Sequence, residues 1–119
     1  MKKNIVKEKS LQFALHIIGL SRELDQRKEY ILSRQLMRSG TAIGALIRES
    51  EHAESKKDFI HKLNIALKEA NETAYWLELL HQSQTIDQKE YSLITNENNE
   101  LLSLLIRIIK TTKANLNTQ

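Results

Sequence analysis

Apolar residues recur along the chain in steps of three and four, the spacing of an amphipathic helix packed against a partner. Four segments carry such a stripe. The stripes are Phe13, Ile17, Leu20 and Leu24; Leu32, Leu36, Ser39, Ile43 and Leu46; Phe59, Leu63, Ala66, Ala70, Thr73, Leu77 and Leu80; and Tyr91, Ile94, Asn98, Leu101, Leu105 and Ile108. The pattern predicts helices near residues 8–24, 28–51, 55–83 and 87–114, in one domain spanning 1–119 with a basic N-terminal tail over 1–9.

Cap chemistry marks the predicted helix starts. Ser55 is followed by Asp58, and Asp87 by Glu90, at the spacing of a capping box. Residues 25–28 are the predicted first break. Because short connections make successive helices antiparallel neighbours, the predicted fold class is all-α, an up-down-up-down antiparallel four-helix bundle.

Glycine and proline usage agrees with an all-helical fold. Proline is absent, and the three glycines all lie inside helical patterns, which argues against the turn-rich sequence of a sheet protein. Gly40 and Gly44 are one turn apart in the second helix. They predict a smooth face for close helix packing, within the chain or between chains.

Two helices carry more apolar surface than a lone bundle needs. Helix 1 adds Leu11, Ala14, Leu15 and Ile18; helix 4 adds Leu102, Leu104, Ile106 and Ile109. A helix that is apolar nearly all round is normally buried all round, so we expect a homo-oligomer. A wide core stripe with scattered surface leucines gives the same pattern, and this alternative stays open.

Composition excludes several classes of protein. The chain has 119 residues, a formal charge of +3 and no cysteine, so it offers no disulfide framework and no thiolate zinc site. No apolar run is long enough to span a bilayer, and the first residues lack the apolar region of a secretory signal. We therefore expect a cytoplasmic protein with no membrane partner.

Catalytic and metal motifs are absent from the sequence. A di-iron bundle needs two Glu-x-x-His elements, and only Glu78–His81 has that spacing. No Gly-x-Ser-x-Gly element is present. Acidic residues cluster with His52 near the second turn, where a solvated turn explains them without an acid–base site. The sequence predicts no enzyme, no cofactor and no metal site.

Charge is concentrated at the two ends of the chain. The first ten residues hold four lysines and one glutamate, and residues 101–119 hold three cations and no acid. Both segments meet at one end of an up-down-up-down bundle, where they can bind phosphates. The candidate nucleic-acid-binding residues are Lys2, Lys3, Lys7, Lys9, Arg107, Lys110 and Lys113, with Arg34 and Arg38 as an addition or a second patch. Alternatively, these charges solubilise a tail and complement the dipole of helix 4.

Two runs carry a family resemblance: Tyr30–Ala45 (YILSRQLMRSGTAIGA) and Ser55–Ile60 (SKKDFI), the second followed by Leu63, Ala66, Leu67, Glu69, Ala70, Glu72 and Leu77. They resemble the bacterial four-helix-bundle proteins encoded by intervening sequences of 23S ribosomal RNA genes. The resemblance implies a ring-like homo-oligomer, a pentamer, without established enzymatic activity. Related bundles are accessory factors of retroelements, in which a basic surface engages nucleic acid and a reverse transcriptase.

One position departs from the family pattern. Where the family usually has Asn shortly after the small-residue run, this chain has Leu46, followed by the expected Ile47, Arg48 and Glu49. A role that depends on the amide of that Asn is therefore not expected of this chain.

Two functions remain in competition: an oligomer that binds RNA or DNA through its basic ends, and a scaffold or accessory factor that docks a partner enzyme without touching nucleic acid.

Overall fold

Four α-helices make up almost all of the computed structural model, which describes residues 5–117. They are α1 (Ile5–Gln26), α2 (Tyr30–Ser50), α3 (Lys56–Gln82) and α4 (Gln88–Asn117). Short turns join them, and no strand occurs among the described residues. The fold is an all-α, up-down-up-down four-helix bundle.

Each helix packs against its neighbours in sequence, and α1 also packs against α4. The diagonal pairs make no close backbone contact within the described residues, so the four helices lie at the corners of a square. The bundle measures 53 × 24 × 22 Å. We call one end, with the start of α1, the α2–α3 turn and the end of α4, the terminal end. The other end, with the α1–α2 and α3–α4 turns, is the distal end.

The first helix starts earlier than the sequence pattern predicts. It begins at Ile5 rather than near residue 8, so Lys7 and Lys9 are helical and do not lie in a tail. The physical reason is Val6, which is 7% exposed and extends the buried stripe of α1 by two turns beyond Phe13. The last helix continues to Asn117, a few residues past its predicted end.

The helix caps have the chemistry that the sequence predicts. Ser55 Oγ accepts a hydrogen bond from Asp58 N (3.0 Å), and Asp58 Oδ2 accepts one from Glu54 N (3.1 Å). Asp87 Oδ1 accepts from Glu90 N at 2.8 Å. These bonds satisfy backbone donors that the first helical turn leaves without partners. The side chain of Glu90 does not complete a reciprocal box, because it binds His16 instead.

The buried core follows the predicted stripes with shifts of one residue. Leu32, Leu46, Phe59 and Ile108 are half-buried, and their neighbours Ser33, Ile47, Ile60 and Ile109 take the buried positions. Such shifts arise because a straight helix drifts relative to a strict seven-residue repeat. Alternating steps of three and four therefore locate each stripe to within one residue.

Gly40 and Gly44 pack within the chain, against α1. A Cβ on Gly40 would lie 2.9 Å from Ile17 Cγ1, and one on Gly44 would lie 3.2 Å from Ser10 Oγ. Ser10 itself is buried and bonds the carbonyl of Lys7. The small-residue face of α2 thus lets α1 approach closely.

Buried polar contacts fix the register of the helices. Asn98, which is fully buried, donates from Nδ2 to the carbonyl oxygen of Ala70 at 2.9 Å. Thr73 Oγ1 bonds Ser39 Oγ at 2.9 Å between α3 and α2. Because a buried polar group without a partner is costly, such bonds penalise a slip of one helix along another.

No helix within residues 5–117 has the length and apolarity needed to cross a bilayer.

Candidate nucleic-acid interface

Three exposed cations line the last part of α4 at the terminal end. Arg107, Lys110 and Lys113 recur every three residues, so they follow one side of the helix. None of them has a carboxylate within ion-pair distance among the described residues. Their charge is therefore available to a ligand.

The first turn of α3 adds two exposed lysines that sequence reasoning did not single out. Asn98 of α4 bonds Ala70 of α3. Roughly three turns from this contact, both toward the terminal end, lie Lys110, which follows Asn98 on α4, and Lys57, which precedes Ala70 on the antiparallel α3. Lys56 precedes Lys57, and neither forms an ion pair within the described chain. These two lysines could have been identified from the sequence, because it predicts a helix start at residue 55 and an antiparallel topology.

The N-terminal lysines of α1 are compensated by acids from other helices. Lys7 Nζ lies 3.2 Å from Glu51 Oε1, and Lys9 Nζ lies 2.9 Å from Glu100 Oε2. Both pairs are partly exposed, so the lysines keep some access to solvent but little net charge. Lys2 and Lys3 lie outside the described residues.

Arg34 and Arg38 are exposed on the half of α2 that begins at the distal end, away from the other candidates. Arg38 is bonded to Glu69 at 3.3 Å and, through a short contact, to Glu72. Hydrogen bonds from Arg38 and from Trp76 lower the pKa of Glu72, which holds this carboxylate in its charged form. The second basic patch is thereby reduced to Arg34.

The acidic turn between α2 and α3 has the contacts of a solvated surface. Glu49 lies 3.7 Å from Lys62, Glu51 pairs with Lys7, and His52 and Glu54 are exposed. An open groove of about 810 Å³ lies instead at the distal end beside the stacked rings of His81 and Tyr91. Among residues 5–117 no three histidine or carboxylate side chains gather as metal ligands would.

His16 contacts two glutamates across the α1–α4 seam. Its Nδ1 lies 2.7 Å from Glu97 Oε1 and its Nε2 lies 2.8 Å from Glu90 Oε2. Burial of the ring lowers the pKa of His16, but the hydrogen bonds to Glu97 and Glu90 outweigh burial and leave that pKa above the ordinary 6.5. The protonated imidazole therefore ties α1 to two turns of α4.

Comparisons with known proteins agree with this architecture. Residues 2–107 match the family model of the 23S rRNA-intervening sequence protein. A crystal structure from Bacteroides thetaiotaomicron VPI-5482, described as a protein with unknown function from the S23 ribosomal protein family, is 55% identical. It aligns with a TM-score of 0.88 over 89% of this chain and 99% of its own. No curated protein matches the chain. Neither description names a reaction.

Proposed function

This chain belongs to the 23S rRNA-intervening sequence protein family, and from that premise we propose that it is a homo-oligomer, a pentamer, that binds RNA or DNA without sequence specificity. The contact surface is the group of cations at the terminal end. The observation that carries the proposal is a group of five cations on the terminal parts of α3 and α4 that are exposed and form no ion pair among residues 5–117: Lys56, Lys57, Arg107, Lys110 and Lys113.

The electrostatics of this surface favour a phosphate backbone over a base-reading site. Lysine and arginine on long, exposed side chains contact phosphates and carry no sequence information. Tyr75 and Trp76, the aromatic pair that could stack on bases, lie in the half of α3 nearer the distal end. Affinity should therefore vary little among sequences of one length and form.

Because the bundle is long, the position of the binding surface can be tested by changing charges at one end only. The two ends lie up to 53 Å apart, several times the Debye length of about 8–10 Å at physiological salt. A phosphate bound at the terminal end is thus insensitive to charges at the distal end. Only the terminal cations should determine the affinity and the salt dependence.

The test is a gel-shift titration over a salt series with two charge-matched double variants. Arg107→Glu with Lys110→Glu reverses two terminal cations, and Arg27→Glu with Lys89→Glu reverses two exposed distal cations. Each neutralised phosphate releases counterions, so the terminal variant should bind all sequences more weakly and with a shallower salt slope. The distal variant should bind as the wild type does, although its net charge is the same.

Two outcomes would count against the proposal. Equal loss in both variants would mean that net charge alone governs binding, without a terminal site. No binding by the wild type near physiological salt would favour the scaffold alternative, in which the oligomer docks a partner enzyme. Circular dichroism serves as the folding control, because exposed charges contribute little to stability.

A further inference from the structure

The outward side of α3 carries a stripe of six residues that contains no acid. The residues recur in steps of four and three, so they lie on one side of the helix, opposite the buried Leu63, Ala66 and Ala70. They are Lys57, His61, Asn64, Lys68, Asn71 and Tyr75. All are exposed except Asn64, which is half-buried. The stripe begins with a lysine at the terminal end and ends with a tyrosine about 27 Å along the helix axis.

The adjacent helix α4 supplies a second stripe without acids. Its members recur in the same alternating steps and are Asn99, Ser103, Ile106, Lys110 and Lys113. Because Asn98 bonds Ala70 of the antiparallel α3, Lys110 comes level with Lys57, and Asn99 with Lys68, to within about one residue. The two stripes therefore follow each other along one outer face of the bundle, which we call the α3–α4 track.

The acids of α3 are bound on sides of the helix that face away from the track. Over the length of the stripe α3 has three acids, Asp58, Glu69 and Glu72. Asp58 accepts a hydrogen bond at the start of the helix, and Glu69 and Glu72 both bond Arg38 of α2. None of these carboxylates is left to repel an anion on the track.

The acids of α4 are bound in the same way, toward α1. Between residues 96 and 113 the helix has two acids, Glu97 and Glu100. Glu97 bonds His16, and Glu100 pairs with Lys9. Both partners belong to α1, so these glutamates lie on the side of α4 that is turned away from α3.

The track therefore carries positive charge that its own acids do not neutralise. Its exposed cations without an ion pair among residues 5–117 are Lys57, Lys68, Arg107, Lys110 and Lys113. Such cations attract a phosphate backbone, and exposed amide and hydroxyl groups between them can donate hydrogen bonds to phosphate oxygens. The ligand chemistry that fits this surface is an extended polyanion.

We propose that a single-stranded nucleic acid lies along the α3–α4 track, with its phosphates on the cations and a base stacked on Tyr75. The inference rests on the proposed function and extends its binding surface from the terminal end past the middle of the bundle. It adds Lys68 to the cations that determine the affinity for a single strand.

Tyr75 is the observation that selects a single strand over a duplex. Its side chain is 54% exposed, and its ring lies against Trp76 with centroids 5.1 Å apart. Trp76 is held in turn by a 2.9 Å bond to Glu72. An aromatic ring beside a cationic path is a stacking platform for unpaired bases, whereas neighbouring base pairs cover the base faces of a duplex. Stacking tolerates any base, which agrees with binding that lacks sequence specificity.

The single tryptophan of the chain provides a direct readout. Because Trp76 contacts Tyr75, a base stacked on Tyr75 should quench its fluorescence. The probe is an oligothymidylate of about 12 nucleotides, within the roughly 4–16 nucleotides that single-strand sites cover. It should quench Trp76 as it binds, and a duplex of the same length should not. Oligouridylate, the RNA probe, should act like oligothymidylate, because phosphates and base faces are common to both.

Two matched pairs of variants test the position of the strand. Tyr75→Ala should weaken binding of oligothymidylate about tenfold and leave duplex binding unchanged, whereas Tyr30→Ala, at a site 47% exposed on α2, should change neither. Lys68→Glu should weaken single-strand binding and make its salt slope shallower, whereas Lys89→Glu, at an exposed distal site, should not. Circular dichroism and light scattering check the fold and the mass of each variant.

The possible results separate this inference from the proposed function. If the probes shift in a gel but Trp76 is not quenched, or if Tyr75→Ala binds oligothymidylate as the wild type does, the track is refuted and binding at the terminal end survives. A changed oligomer mass in Tyr75→Ala would assign Tyr75 to a contact between copies and would also overturn the inference. If no probe binds near physiological salt, the track and the proposed function both fail.

Discussion

Ile17 of α1 lies directly against Gly40 of α2, where a Cβ added to the glycine would come within 2.9 Å of Ile17 Cγ1. Ile17 is fully buried in the core, so it can move aside only by displacing its neighbours. A side chain at position 40 therefore forces Ile17 and its neighbours, or the two helices, to shift. The contact makes the glycine a requirement of packing rather than of backbone conformation, because its φ is not positive.

The three glycines provide a matched comparison. Gly40→Ala and Gly19→Ala gain the same helix propensity, about 1 kcal/mol, but only the first meets a packed neighbour. Overpacking costs roughly 1–3 kcal/mol, so the free energy of unfolding should be lower for Gly40→Ala than for Gly19→Ala by about that amount. Urea denaturation measures both. Equal stability of the two variants would refute the close contact.

The contacts of His16 with Glu90 and Glu97, which we call the His16 clamp, predict that the free energy of unfolding depends on pH. The pKa of His16 is raised in the folded protein, so the stabilisation is complete below about pH 6.5 and is lost as the pH rises through the folded pKa. The free energy of unfolding should therefore fall on going from mildly acidic to alkaline pH. His16→Gln should flatten this slope.

An NMR titration of the imidazole provides the direct measurement of the His16 clamp. The groups facing the ring from α4 are Glu90 and Glu97, and Lys9 and Glu100 pair further along the same seam. Glu97→Gln should lower the pKa of His16, because a neutral amide replaces the carboxylate that accepts the shorter of its two bonds. A midpoint below 6.5 in the wild type would contradict the assignment.

The side chain of Ser55, which caps α3, should contribute more to the free energy of unfolding than the side chain of an exposed serine inside a helix. Ser55→Ala removes the acceptor for Asp58 N and should lower the free energy of unfolding by about 1 kcal/mol. Ser103→Ala, at an exposed position inside α4, should instead raise it by a few tenths of a kcal/mol, because alanine is the better helix former. Thermal denaturation of the two variants should move in opposite directions.

Two turn residues adopt a left-handed conformation that their side chains disfavour. Lys28 and Gln84 both have φ of 64° after the ends of α1 and α3. This conformation costs a residue with a Cβ about 1–2 kcal/mol, and glycine avoids that cost. Part of the resulting stabilisation is offset, because glycine loses more conformational entropy on folding. Lys28→Gly and Gln84→Gly should each raise the free energy of unfolding by about 1 kcal/mol. Lower stability in both variants would exclude the left-handed caps.

The sequence by itself determined the number of helices, their approximate limits and their order around the bundle. Apolar spacing and cap chemistry act within a few residues, so Ser55, Asp87 and the break at 25–28 are readable without the fold. Short connections then leave an up-down-up-down arrangement. Val6 extends α1 beyond its predicted start because one buried residue, outside the clear stripe, is enough to add a turn.

Only the tertiary structure decided which charges are free. Lys7 meets Glu51, Lys9 meets Glu100 and Arg38 meets Glu69, pairs that are far apart in the chain. The pairing depends on the register and rotation of each helix about its axis, which hydrophobic periodicity sets only to within about one residue. A shift of one residue turns a side chain by about 100° on a helix of 3.6 residues per turn, enough to make or break an ion pair. The candidate interface therefore keeps the predicted cations of α4, loses the paired Lys7 and Lys9 of α1, and gains Lys56 and Lys57 of α3.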